Sequence, residues 1–161
     1  VLEEVTATSR FVFLDKPVVT VVSDEFLGER FVSIVRVKAY VFDARYEKVR
    51  VDGCVISCAV LIAVGISAKG KRSVLGVSVA LSEAEIHWRD FLTSLKERGI
   101  GIPDSVTSDA HVGLRAALRA TLSSSPWQRC QFHLQQNAQA YVPTKDLKQK
   151  VADQIRHIFN C

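Results

Sequence analysis

From Lys38 onward the spacing of apolar and polar positions is regular enough to predict a chain of elements. Ala39 to Ala44 reads as a strand that continues through Tyr46, Lys48 and Arg50 as apolar residues thin out. Asp52-Gly53, set between two apolar runs, is a hairpin signal. Cys54 to Ser67 is almost wholly apolar, which predicts a central strand covered on both faces. Lys69-Gly70 turns the chain again, and Arg72 to Ala80 gives a third strand. Ser82, with Glu85 three residues on, predicts a capping box at a helix start. Trp88, Phe91, Leu92 and Leu95 then fall on one apolar stripe, until Gly99 and Pro103 end the helix.

Ser105 to Ser108 predicts a short strand ending at Asp109. Ala110, Leu114, Ala117, Leu118 and Thr121 line one face of a second helix. Trp127 to Phe132 is expected as a fifth strand, with a helix from about His133 to Tyr141. Thr144 is the expected cap of a last helix carrying Leu147, Val151, Ile155 and Ile158. The order βββ-α-β-α-β-α predicts a mixed α/β sheet with helices packed on it. A fourth strand reached by a crossover lies most naturally parallel to the first, which brings the ends of the Asp43 and Asp109 strands side by side. That is the RNase H-like topology: a three-strand antiparallel meander plus helix-linked strands.

The first 38 residues do not join this pattern, although Val18 to Val22 and Phe31 to Val37 are strand-like runs. The expected division is therefore 1–38 as an unassigned N-terminal segment and 39–161 as a partial catalytic-type domain. The chain opens on Val1, contains no methionine and stops within a helical pattern, so a fragment or truncated reading frame, incomplete at the C-terminus, is expected.

Composition changes this picture little. A 161-residue chain that is 48% hydrophobic can build one core, and its longest apolar stretch, Val55 to Ile66, is far short of the ~20 residues of a membrane span. No signal peptide is evident, so a cytoplasmic protein with no membrane partner is expected. The four cysteines include no CxxC pair, which favours neither a zinc site nor a disulfide framework. A net charge of +4 permits a polyanionic partner without requiring one. Basic residues gather around Asp43 (Arg36, Lys38, Arg45, Lys48, Arg50) and again from Arg129 to Arg156.

Asp43 and Asp109 are the candidate chemistry. Carboxylates a few ångströms apart repel, and both stay ionised only with cations between them. All-oxygen ligands suit Mg²⁺ or Mn²⁺, and two such ions can activate a hydroxyl and stabilise the leaving oxygen of a phosphodiester. The structural alternative makes Asp109 the N-cap of the helix from Ala110 and Asp43 an exposed strand end. Cys130 and His133 form a C-x-x-H pair, weak alone; on the residues themselves a buried cysteine and a histidine at a helix start are favoured.

Taken together, YVFDARYEKVR, VTSDAHVGLRAAL and WQRCQFHLQQN resemble the Mutator-type transposases of bacterial insertion sequences, in order from about Tyr40 to Phe159. The resemblance implies an RNase H-like core with an acidic DDE triad, two divalent metals (Mg²⁺ or Mn²⁺) and DNA transposition in a bacterial, nucleoid-associated setting. It implies that Asp43 and Asp109 are the first two acids and that Cys130 and His133 match the family's C/D-x-x-H signature, with His111, Trp127 and Arg129 in the same motifs. The third acid, a glutamate downstream of that signature, has no counterpart, since no glutamate follows His133. The expectation is thus a transposase remnant, catalytically incomplete alone, whose partners are transposon ends, target DNA and either its own copies or a full-length transposase.

Arg45, Lys48, Arg50, Arg129, His133 and Lys148 are the expected DNA contacts. Three rival readings remain at this stage: a non-catalytic DNA-binding or dimerising fragment, a decayed product without function, and an RNase H-like nuclease completed by Glu83, Glu85 or Glu47. Against the last, Glu85 is claimed by the capping box.

Overall fold

The computed structural model describes residues 19–20 and 37–160. Its strands are β1 (Val19–Thr20), β2 (Val37–Val51), β3 (Cys54–Ser67), β4 (Arg72–Ala80), β5 (Ser105–Ser108) and β6 (Trp127–Arg129). Its helices are α1 (Glu85–Glu97), α2 (Val112–Thr121), α3 (Gln131–Ala140) and α4 (Lys145–Phe159). Apart from Val19 and Thr20, the N-terminal strand-like runs lie outside the described residues; those two pair antiparallel with Val79 and Ser78 of β4.

The strands form one sheet in the order β1-β4-β3-β2-β5-β6. β2, β3 and β4 make an antiparallel meander, and β5 and β6 are added in parallel through helical crossovers. An antiparallel meander extended by parallel, helix-linked strands beside its first member is the RNase H-like arrangement. The β2–β3 turn follows from Asp52-Gly53: both residues have positive φ (47° and 81°), as a two-residue hairpin whose twist matches its strands requires.

One face of the sheet carries the core. Tyr40 and Phe42 of β2, with Ala59, Leu61 and Ala63 of β3, meet Trp88, Phe91, Leu92 and Leu95 of α1 and Leu114, Ala117 and Leu118 of α2. Phe42 and Trp88 meet edge to face with ring centroids 6.4 Å apart. Each such large side chain, once removed from water, contributes on the order of 1.5–3 kcal/mol. The other face of β3 is only half-buried at Val60, Ile62 and Val64, so the expected cover on both faces is met on one. The continuous apolar run reflects a sheet packed tightly on one side and loosely on the other.

Three local expectations are corrected. The capping box is absent: α1 starts at Glu85 with Ala84 as N-cap and no side-chain cap, and Glu85 instead pairs with Arg89 one turn on, Oε1 to Nε at 2.7 Å. The second helix begins at Val112 with His111 as N-cap, not at Ala110. The sixth strand stops at Arg129, because the Cys130 carbonyl already accepts the first amide of α3, from Leu134 at 3.0 Å. Among the described residues, no helix is long and apolar enough to cross a membrane.

Candidate active site

β2 and β5 run parallel, and their register pairs Phe42 with Ser108. Asp43 and Asp109 are each the next residue along, so the two carboxylates leave neighbouring strands at the same level. Adjacent strands lie about 4.8 Å apart, which sets the scale of the separation between the two backbones. Alternation along β2 sends Phe42 into the core and Asp43 to the other face, where half its side chain is exposed.

Asp109 is held by the turn that follows it. Its Oδ1 accepts the His111 amide at 3.1 Å in a local Asx turn, and His111, not the Asp109 of the structural alternative, is the N-cap of α2. Ser108, fully buried at the end of β5, donates its hydroxyl to the Asp109 carbonyl at 2.8 Å and accepts the indole N–H of Trp127 at 2.9 Å. The Cys130 amide donates to the Ser108 carbonyl. The stretch around Trp127 and the stretch around Asp109 are therefore one hydrogen-bonded unit.

His133, on the first turn of α3, places Nε2 3.8 Å from Asp43 Oδ1. His111 places Nδ1 3.8 Å from Glu83 Oε2. Glu83 is the residue that sequence reasoning undervalued. Its side chain is only 11% exposed, and its carboxyl is held above the usual carboxylate range. Burial is the main cause; His111 pulls against it, Asp109 and Asp43 add to it, and His133 opposes it. A glutamate that feels both aspartates and both histidines sits at the same end of the sheet as they do. The signal available in the sequence was its place in the short link between β4 and α1, at the meander's exit.

The basic candidates are more scattered. Arg45 shares Asp43's side of β2 and pairs with Glu47, whereas alternation places Lys48 and Arg50 on the opposite side. Lys148 is exposed on α4. Arg129 is half-buried, and its Nε has no hydrogen-bond partner among the described residues, nor do Nδ1 of His111 and of His133. Such orphaned donors mark places where an acceptor fits.

In type, the oxygen donors of Asp43 and Asp109 suit a hard divalent cation. Among the described residues, however, no three His, Cys, Asp or Glu side chains gather closely enough to hold a metal ion.

Comparison with known proteins matches residues 22–161 to the family described as Transposase, Mutator family. The chain belongs to that family. It is 60% identical over 122 residues to the transposase for insertion sequence element IS406 of Burkholderia multivorans, covering 75% of this chain and 31% of that protein. It is 48% identical over 105 residues to the ISRM5 transposase of Rhizobium meliloti, covering 65% of this chain and 26% of that one. With the IS256 transposase of transposon Tn4001 from Staphylococcus aureus the identity is 40% over 106 residues, covering 66% and 27%. The chain thus spans under a third of the length of these relatives. Among solved structures, the HTLV-2 integrase catalytic core domain in complex with magnesium superposes with a TM-score of 0.37 at 9% identity, over 75% of this chain and 84% of that one, a score too low to place any residue.

Proposed function

We propose that this chain is the acid-bearing part of an insertion-sequence transposase, and that Asp43 and Asp109 are its first two catalytic carboxylates. The observation that carries the reading is their position. They are successive to a register pair on adjacent parallel strands, at the open end of β5, in a chain of the Mutator family. In that role they would hold Mg²⁺ or Mn²⁺, which when bound supplies charge neutralisation at a phosphodiester. The residues around them have separate tasks. The Asx turn to His111 fixes the Asp109 carboxylate, and Ser108, tied to Trp127, holds the strand end that bears it. His133 faces Asp43, and Arg129, whose Nε is unpaired, would donate a charge-assisted hydrogen bond to a phosphate oxygen. DNA is the substrate this arrangement implies, and Arg45 lies on the same side of β2 as Asp43 to meet its backbone.

The test is Mn²⁺ binding by calorimetry on the folded chain, wild type beside Asp43→Asn and Asp109→Asn. Binding in the wild type that is lost in both variants supports the reading. Binding that survives either substitution overturns it. Transposition itself requires the remainder of a protein as long as the relatives, so the activity assay is excision by a chimera. In it, residues 40–160 replace the matching segment of the IS406 transposase, and either aspartate substitution is expected to abolish excision.

A further inference from the structure

Glu83 is gripped from three sides. Its amide donates to the hydroxyl of Tyr46 on β2 at 3.3 Å. Its carbonyl lies where a side chain on Gly113 would be: a Cβ there would stand 2.2 Å from Glu83 O and 3.0 Å from the Glu85 nitrogen. Only a residue without Cβ lets the first turn of α2 approach the 83–85 backbone this closely. Its carboxylate faces His111 Nδ1 at 3.8 Å, and the His111 amide is the donor that holds Asp109 Oδ1. Tyr46, Glu83, His111 and Gly113 together line an open cleft of about 500 Å³.

This is a costly place for an acid. A buried carboxylate that feels two others is destabilising in the metal-free chain unless something offsets it. The ordinary remedies are absent: Glu83 makes no capping bond, and its contact with His111 is longer than a hydrogen bond. Glu85, the neighbour with the same chemistry, is turned away toward Arg89 and cannot take its place.

We infer that Glu83 is a positioning residue of the Asp43/Asp109 centre, which acts through His111 to hold the Asp109 turn against β2 and adds a third negative charge beside the two ligating aspartates. It does this from outside the ligand pair, and it lies upstream of Asp109, on the link from the meander to α1. The inference rests on the reading of Asp43 and Asp109 as the centre.

The experiment is an Mn²⁺ titration by calorimetry at neutral pH, paired with thermal unfolding of the metal-free chain, for wild type, Glu83→Gln, Glu83→Asp, His111→Gln and the Glu83→Gln/His111→Gln double variant, with Asp43→Asn as reference. Removing a residue that orients a ligand typically weakens metal binding by about 10–100-fold, so Glu83→Gln is expected to lose at least about tenfold. Its metal-free Tm is expected to stay level or rise, because a strained charge has been removed. Glu83→Asp, which keeps the charge, is expected to retain more affinity than Glu83→Gln. The double variant is expected to be no weaker than the weaker single variant, as for two residues acting in one chain of contacts.

Wild-type affinity in Glu83→Gln overturns the inference while leaving the aspartates in place, provided that Asp43→Asn has lost binding. A Tm that falls together with affinity makes Glu83 a structural pin and also overturns it, as does an additive double variant. Binding that survives Asp43→Asn overturns the centre itself. A folded wild type that takes up no Mn²⁺ overturns both.

Discussion

The indole N–H of Trp127 donates to the hydroxyl oxygen of Ser108 across the β5–β6 boundary at 2.9 Å. Ser108 spends its own proton on the Asp109 carbonyl, so the ring of Trp127 is two hydrogen bonds from the backbone of a candidate catalytic acid. The opposite side of the relation is equally fixed: the Arg115 guanidinium stacks over the Trp127 ring, 3.4 Å from its centroid. α2, which follows Asp109, thus reaches back to clamp the strand that supports it.

Trp127→Phe keeps most of the stacking surface and removes the N–H, leaving the buried Ser108 hydroxyl one partner short. The expected cost is about 1 kcal/mol, and Trp127→Ala should cost more by losing the cation–π contact as well. Urea unfolding measures both. Equal stability of the two variants would show that Arg115 gains nothing from the ring.

Gly113→Ala places a methyl against backbone atoms that cannot rotate away. A loss of about 1–3 kcal/mol is expected, since either α2 or the 83–85 link must shift. A wild-type Tm in this variant would mean that the link yields freely, and Mn²⁺ affinity should then be unchanged too.

The pH dependence follows from the sign of the Glu83 shift. Its carboxyl is raised in the folded chain, chiefly by burial, so the folded state holds this proton more tightly than the unfolded state. The stability so gained is complete below the ordinary glutamate range and is lost as pH rises through the raised folded value. Wild type should therefore lose stability relative to Glu83→Gln as pH rises from the ordinary glutamate range through that raised value. Parallel Tm–pH curves for the two proteins would refute this.

Arg45 and Lys48 lie on opposite sides of β2, and only Arg45 shares a side with Asp43. If DNA approaches along that side, Arg45→Ala should reduce the salt slope of binding by about 0.9, the value for one phosphate contact, while Lys48→Ala leaves it unchanged. Fluorescence anisotropy across a salt series decides between them. Equal effects would mean that the strand lies edge-on to the duplex.

Much of this architecture was legible before any coordinates. The hairpin at Asp52-Gly53, the bounds of β3 and β4, and the buried stripe Trp88, Phe91, Leu92 and Leu95 all follow from local pattern, because period and turn chemistry act over a few residues. The motif around Trp127 was recognisable too, but not its purpose: nothing local says that its indole is destined for Ser108. The capping box shows the opposite failure. Ser82 and Glu85 have the right spacing, yet Ala84 starts the helix and Glu85 turns to Arg89, since the link from β4 is held by Tyr46 and Gly113 instead.

The sequence by itself determined the family, the order of elements and the two aspartates at strand ends, because each is written in residues close together along the chain. Only the tertiary structure decided that Glu83, and not Glu85, faces His111, whose amide holds Asp109, and that Asp109, His111, Ser108 and Trp127 form one bonded unit. Those facts depend on the parallel register of β2 with β5 and on the close approach of α2 to the 83–85 backbone. Both are set by packing between segments far apart in sequence, where local propensity carries no information.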